Sequence, residues 1–270
     1  MCISIPTRNR VGIILNSRKT TRIVSTNQVI KMKNRETFYG KLAPLYESFY
    51  PKRDYEKELV ELVTQFKKYK VTTVIDLGCG TGTHAKLLAN KGYLITGIDN
   101  SREMLSVAKR NNQSNGNHFV FGNMRHFCLP AKQDACYSIF STILYNTTNS
   151  DILHTFESVK KNLKPNGLFI IRFTTPLNTN IKKKVIHGNN CKILKVESFD
   201  VAKQVSTATN SYFIGEKKVG QDVSIKRLLF PEETKLFLQQ AGFRVIKTNI
   251  NKQNKGYLLI TIIAKRHRVG

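Results

Sequence analysis

Residues 74–82 read VIDLGCGTG. An apolar run ends in an acid at Asp76, and glycines then stand at 78, 80 and 82. Nothing else in the chain limits the fold so tightly. A short β-branched run of this kind forms a buried parallel strand. Glycines at its exit permit positive φ and let backbone approach a ligand closely. In open α/β sheets, ligands bind at the carboxyl ends of the strands, against the N–H groups of the helix that follows. The spacing is G-x-G-x-G rather than the G-x-G-x-x-G that seats a dinucleotide's pyrophosphate. An acid two residues ahead of the first glycine would repel a pyrophosphate. It suits a ligand with an ammonium or sulfonium group, which counts against a nicotinamide dehydrogenase.

Strand and helix patterns alternate around this loop. Residues 55–69 place Leu59, Leu62, Val63 and Phe66 on one helical face. VTTVIDL (71–77), YLITGI (93–98), HFVFGN (118–123), DACYSIFS (134–141) and GLFIIRF (167–173) read as five strands. Between them lie helices over 83–90, from a Ser101 cap to about Arg110, and over 152–163, the last closed by Pro165-Asn166-Gly167. This order implies a doubly wound α/β sheet with parallel strands. Residues 175–230 break the rhythm: KILKVESF and VSIKRLLF alternate apolar and polar, as half-exposed antiparallel strands do. A small antiparallel insertion covering one end of the domain is expected there. PEETKLFLQQAGF (231–243) predicts a helix with Pro231 at its start and Gly242 past its end. Residues 243–250 and 257–265 predict a closing antiparallel pair.

A second acid, Asp99, follows the second strand in GIDN. A carboxylate at that strand end can accept hydrogen bonds from both hydroxyls of a ribose. A nucleoside with a cationic amino-acid tail fits Asp76 and Asp99 together, and S-adenosylmethionine is such a molecule.

With these residues in hand, the chain resembles the class I S-adenosylmethionine-dependent methyltransferases. The resemblance is carried by VIDLGCGTGTHAKLLANKGYLITGIDNSREMLSVAKR (74–110), FGNMRHF (121–127), QDACYSIFSTILYN (133–146) and LKPNGLFIIRF (163–173), in the expected order. It runs from about Met32 to the C-terminus. FYGKLAPLYESFYPKRDYEKE (38–58) and RLLFPEETKLFLQQAGF (227–243) are similar to small-molecule N-methyltransferases of the glycine and aminosugar type. The resemblance implies a Rossmann-like seven-stranded sheet, mostly parallel with an antiparallel C-terminal strand, plus the small antiparallel β insertion after strand 5. It implies a core over 74–174, a cap over 175–230 and a closing helix and strands over 231–270.

Site residues follow from the same resemblance. Gly78, Gly80 and Gly82 would line the methionine part of the cofactor, with Asp76 reaching its ammonium. Asp99 would hold the ribose, with Asn100 and Met104 beside the adenine. Asn123 and Met124 would flank the adenine where the family usually has Asp. Ser141 would border the transferring methyl. Tyr39, Tyr46 and Tyr50 lie on a segment that would close over the pocket. Where Tyr46 meets the family's usual Tyr-Asp, this chain has Glu47. For an amine acceptor the candidate proton acceptors are Tyr46, His126 and His154. Cys79 has no adjacent base and is read as a small packed residue.

Composition narrows the remaining choices. The 270 residues suit one elaborated domain. No apolar run approaches the roughly 20 residues of a membrane span. The five cysteines are scattered and include no CxxC pair, which argues against a zinc site or a disulfide framework and fits a reducing, cytoplasmic setting. The formal net charge of +26 would suit nucleic acid, an anionic surface or an acidic substrate. RNA is therefore a rival acceptor to a small molecule. Against RNA, STILYNTTN stands where base amino-methylating members carry an Asn/Asp-Pro-Pro-aromatic loop, and no Pro-Cys site is present. A non-catalytic binding module with this fold is a further rival, opposed by the intact Asp76, glycines and Asp99. Residues 1–31 carry six basic residues and no acid. They resemble a transit peptide, and also suit a disordered tail or an upstream start ahead of Met32.

Overall fold

The computed structural model describes residues 37–113, 116–253 and 256–267. The basic leader over residues 1–31 lies outside the described residues. A seven-stranded sheet forms the centre of the molecule, in the order β10-β11-β5-β4-β1-β2-β3. Its strands are β1 (Thr73–Leu77), β2 (Leu94–Asp99), β3 (His118–Phe121), β4 (Gln133–Ser138), β5 (Leu163–Pro176), β10 (Phe243–Gln253) and β11 (Tyr257–Arg266). β1 pairs in parallel with β2 and β4, while β11 runs antiparallel to both β5 and β10. The sheet is thus mostly parallel with an antiparallel C-terminal strand, as the sequence pattern predicts.

Five helices cover the two faces: α1 (Tyr55–Lys68), α2 (Thr83–Ala89), α3 (Arg102–Asn111), α4 (Asn149–Asn162) and α5 (Pro231–Gln240). Alternation along β1 splits the core. Ile75 and Leu77 join Phe156, Phe169 and Phe243 on the α4 and α5 side. Val74 joins Leu59, Leu62, Phe66 and Tyr137 on the α1 and α2 side. Leu59, Leu62 and Phe66 are fully buried, and each such side chain stabilises the fold by about 1.5–3 kcal/mol. Their spacing is the helical stripe read from the sequence.

Several boundaries differ from the sequence reading, among them the fourth strand, which ends at Ser138 rather than 141, and the fifth, which runs from Leu163 to Pro176 rather than over 167–173. α4 begins at Asn149 rather than Ile152, because the Thr148 side chain accepts a hydrogen bond from the Asp151 N–H and caps the helix. The LKPNG segment does not simply end a helix. It lies within β5, where pairing to β4 moves from Gln133↔Leu163 to Ala135↔Leu168, and Asn166 takes a positive φ of 62° to absorb the extra residues.

The insertion forms a separate four-stranded antiparallel sheet of β6 (Lys182–His187), β7 (Cys191–Asp200), β8 (Val205–Ile214) and β9 (Lys217–Arg227), in sequential order. This cap meets the core through residues 37–50, a run of short helical turns. Phe38, Leu42 and Phe49 pack with Ile193 and Tyr212 of the cap. On the other side, Ala43 packs with Met104 and Val107 of α3. The Asn189 N–H donates to the Ser48 carbonyl at 2.8 Å. Gly188 leaves room for that approach: a Cβ there would collide with the Ser48 carbonyl oxygen.

Candidate active site

A cavity of about 1650 Å³ opens at the carboxyl ends of β1, β2, β4 and β5, between the core, residues 37–50 and the inner face of the cap. Glycines make its floor. Gly78 and Gly80 adopt φ of +80° and +56°, in the left-handed region where side chains are costly. Nothing lies within 4 Å of a Cβ built on Gly80, so its backbone faces open space. Gly82 departs from the expectation. It does not line the cavity; a Cβ there would press on Asn112, Ala108 and Phe119. Its role is close packing of the start of α2 against α3 and β3.

The two strand-end acids sit as the pattern requires. Asp99 Oδ2 accepts from the Gly80 N–H and Oδ1 from the Ser101 N–H, both at 2.9 Å. These bonds fix the carboxylate and leave each oxygen a further lone pair for a ligand. Burial pushes Asp99 upward in pKa, against the pull of the Gly80, Ser101 and Asn100 amides. Asp76 is 3% exposed and its Oδ2 has no hydrogen-bond partner. Tyr137 is its neighbour on β4, and the phenol lies near without completing a bond to it. Burial raises Asp76 to about 7, Asp99 adds to the rise, and Tyr137 and Arg53 oppose it. An orphaned carboxylate oxygen in a cavity wall calls for a donor, and an ammonium group meets that need. A molecule with a ribose and an amino-acid tail therefore fits this end of the cavity.

Asn100, Met104, Asn123, Met124 and Ser141 all line the same cavity, as does Tyr39. Asn123 Oδ1 is occupied by the Arg125 N–H at 3.1 Å and Nε at 3.3 Å, so the residue offers its amide to a ligand. Phe140 and Ser141 both take left-handed φ, 58° and 62°. Such strain costs about 1–3 kcal/mol per residue and persists where surroundings hold it. Here the Thr174 N–H donates to Ser141 Oγ at 3.1 Å, and the Arg53 guanidinium lies 3.6 Å over the Phe140 ring.

The proton-acceptor candidates fare less well. His126 is exposed and outside the cavity, its ring 5.6 Å from that of His154, which is also outside. The turn after β3 aims the His126 ring away from the cavity. Tyr46 does line it, but burial and the neighbouring Tyr50 hold its pKa well above 10. Tyr46 is therefore a hydrogen-bond donor, not a phenolate base. Tyr39 and Tyr50 are raised in the same way, and the Tyr39 and Tyr145 hydroxyls share a hydrogen bond of 2.7 Å. Cys79 is buried, and its thiol is pushed well above its ordinary pKa, as a packed residue rather than a nucleophile.

Sequence reasoning missed a charged network at the glycine-loop end. Glu47 accepts from Thr81 Oγ1 at 2.5 Å, from Thr83 Oγ1 at 2.8 Å and from the Tyr55 hydroxyl. It thereby ties residues 37–50 to the start of α2. Arg53 donates twice to Glu58, at 2.9 and 2.7 Å, and Glu58 also meets His84 Nε2 at 2.8 Å. Burial lowers the His84 pKa, so the neutral ring donates to the ionised Glu58. The PKRDYEKE run (51–58) was the available signal, since it sets Arg53 and Glu58 within reach of each other.

Known proteins share the domain and the fold. Residues 74–167 match a family model described as a methyltransferase domain. A dTDP-3-amino-3,6-dideoxy-α-D-glucopyranose N,N-dimethyltransferase of Streptomyces fradiae is 27% identical over 138 residues, 50% of this chain and 53% of that protein. A putative methyltransferase of Bacillus subtilis, YqeM, is 37% identical over 99 residues, 36% of this chain and 40% of that one. The chain thus spans about half the length, or less, of these curated relatives. A crystal structure of an S-adenosylmethionine-dependent methyltransferase from Clostridium acetobutylicum superposes with a TM-score of 0.72 at 20% identity, covering 85% of this chain and 99% of that one. Residues 74–167 thus match a methyltransferase domain, and the whole fold is one shared with S-adenosylmethionine-dependent methyltransferases. DesVI of Streptomyces venezuelae is a further structure of this fold, with a TM-score of 0.68 at 21% identity, covering 84% of this chain and 98% of that one. No helix among the described residues is long and apolar enough to cross a membrane.

Proposed function

We propose that this chain transfers a methyl group from S-adenosylmethionine to a small-molecule acceptor, at an amine nitrogen rather than an oxygen. One observation carries the reading: Asp76 and Asp99 flank an open glycine loop at one end of a cavity whose other end is roofed by a polar cap. When bound, the cofactor supplies a methyl group activated by a sulfonium. The protein's task is then orientation and exclusion of water. In this reading Asp99 holds the ribose, Asp76 the ammonium, and Arg53 the carboxylate of the amino-acid tail. Asn100, Met104, Asn123 and Met124 border the adenine, and the strained Phe140–Ser141 turn borders the methyl. Tyr39, Tyr46 and Tyr50 keep their protons and orient the acceptor as donors. An amine enters neutral and its proton leaves to water. A cytoplasmic setting belongs to the same reading and is supported by the free cysteines 79, 128, 136 and 191.

Incubation with a cell extract and cofactor radiolabelled on the methyl tests the reading. Label is expected in the small-molecule fraction, and absent with Asp99→Ala. Label confined to RNA or protein would overturn the acceptor class.

Binding should also depend on pH. Asp76 must be ionised to take the ammonium, and its pKa in the free protein is about 7. A raised carboxylate pKa means that ionisation costs folding stability as pH climbs from the ordinary carboxylate range toward 7. Ligand binding opposes that cost. Affinity should therefore rise about tenfold from pH 6 to pH 8, following the ionised fraction, and level off above. Calorimetry at the two pH values measures this. A flat profile in the wild type, matching Asp76→Asn, would remove Asp76 from the ammonium site.

A further inference from the structure

We infer that the amino-end edge of the central sheet, on the side away from the cavity, docks a nucleic-acid duplex through its phosphate backbone. This goes beyond the methyltransferase reading and does not depend on it. β1, β4 and β5 are parallel and send their carboxyl ends to the cavity, so their starts gather at the far side. β11 runs the other way and brings its last residues there, beside the start of β10. Five neighbouring strands, in the order β10-β11-β5-β4-β1, each carry a cation at this end. Arg244 starts β10 and stands directly opposite Lys265 on β11. Lys164 lies at the start of β5, Lys132 just before β4 and Lys70 just before β1. Strands lie about 4.8 Å apart, so the row is about 19 Å long.

Contacts join the row to its flanks. Lys265 lies 4.1 Å over the Tyr69 ring and Lys68 5.4 Å from it. Arg266 Nη1 donates to the Leu163 carbonyl at the start of β5. Lys160 Nζ lies against Gly242, just before β10. Local electrostatics explains part of this charge. Lys67, Lys68, Lys160 and Lys161 sit in the last turns of α1 and α4, where helix dipoles attract cations. No dipole accounts for the five at the strand ends. Like charges directly opposite in an antiparallel pair destabilise it, yet Arg244 faces Lys265. Asp134 is an acid at the same edge, but it is already taken: Lys164 Nζ donates to it at 2.7 Å, and the Thr72 and Thr73 N–H groups at 3.0 and 2.9 Å. Lys70, Lys132, Arg244 and Lys265 make no ion pair among the described residues.

A row of uncompensated cations on rigid strand ends fits a rigid row of anions. Along one strand of a duplex a phosphate recurs every ~3.4 Å of axis, so about six face a row of this length. Readout would be of the backbone alone. Tyr69, the ring among these lysines, is half-buried under Lys265 and offers no platform for a stacked base. An anionic membrane would want apolar side chains to insert among the lysines. Leu94, exposed at the start of β2, lies past the end of the row. The cavity opens at the opposite ends of the same strands, so a duplex held here is a tether and not the methyl acceptor.

The test is fluorescence anisotropy on the full chain with labelled RNA and DNA duplexes of about 20 base pairs, titrated at several salt concentrations. Five phosphate contacts predict roughly 500-fold weakening between about 50 and 200 mM salt. Lys70→Gln/Lys132→Gln/Arg244→Gln should lose at least about tenfold in affinity at low salt and flatten the log–log salt slope by about three. Those side chains are exposed, so the variant should melt with the wild type. Lys86→Gln/Lys109→Gln/Lys217→Gln removes the same charge from exposed positions elsewhere and should leave affinity and slope unchanged. Equal losses in the two triple variants would reduce the row to bulk charge and overturn the inference, as would absence of duplex binding at low salt. RNA and DNA duplexes should bind within about tenfold of each other, and a wider gap overturns backbone-only readout. Vesicles with about 30% phosphatidylserine that strip the protein from the duplex overturn the choice of partner. S-adenosylmethionine affinity should be the same in wild type and both variants. Wild-type protein that binds duplex but no S-adenosylmethionine sinks the methyltransferase reading and leaves the docking edge standing.

Discussion

Replacing Asp99 with Ala is expected to weaken S-adenosylmethionine binding by at least about a hundredfold, since two charge-assisted hydrogen bonds at about 1.5–3 kcal/mol each are lost. The carboxylate's position supports a figure at the upper end. Its two oxygens are held by the Gly80 and Ser101 amides, so it meets a ribose already oriented. The same bonds complicate the experiment, because Ala also leaves the Gly80 N–H without its acceptor. Asp99→Asn separates the effects. Its side-chain carbonyl can still accept from Gly80, while it cannot accept from two ribose hydroxyls. The fold should survive in the Asp99→Asn variant, with binding weakened by about tenfold or more. Calorimetry beside a thermal melt reads both. Unchanged binding in the Ala variant at an unchanged melting temperature would remove Asp99 from the cofactor site.

The second large effect is expected at Arg53. Its side chain is 8% exposed and donates twice to Glu58, whose side chain is 29% exposed. Removing one member of a largely buried pair costs about 3–5 kcal/mol. Exposure of Glu58 and its remaining bond to His84 place Arg53→Ala near the lower end. Burial tends to raise Glu58, but His84 and Arg53 hold it down, from an ordinary 4.5 to about 2. A depressed carboxylate contributes stability above its unfolded value, here about 4.5, and loses it as pH falls toward 2. Arg53→Ala should therefore be less stable at pH 7 and show a shallower loss between pH 5 and 2 than wild type, in denaturant titrations at each pH. Cofactor affinity should fall at least about tenfold, and Arg53→Lys should not restore it, because one ammonium cannot donate along two parallel lines. Restoration by Lys would mean that only charge matters at this position.

Why some of this was readable in the sequence and some was not follows from chain distance. Asp76, Gly78 and Gly80 are neighbours, and the strand before them fixes where they emerge. Asp99 needs only one further strand placed beside the first. Period and turn chemistry specify both. Glu47, Glu58 and His84 lie far apart along the chain, and their meeting depends on how residues 37–50 cross over α1 and α2, which no local period records. Gly82 shared the spacing of its neighbours yet serves packing, because the helix after the loop turns it toward Asn112 and Phe119. His126 looked usable as a titrating group near a strand end, and only the direction of the turn after β3 removed it. The cap's antiparallel character was legible from alternation. Which of its faces looks inward was not, since alternation alone gives two faces and no preference.

The segment over residues 37–50 has one further implication. Its Tyr39 carbonyl accepts from Ser101 Oγ at 2.6 Å, Glu47 grips Thr81 and Thr83, and Phe38 stacks on Tyr212 of the cap at 4.7 Å. One strip of chain thus bonds at once to the glycine-loop side of the cavity and to the cap. It cannot swing aside for one visitor without loosening the housing of the other.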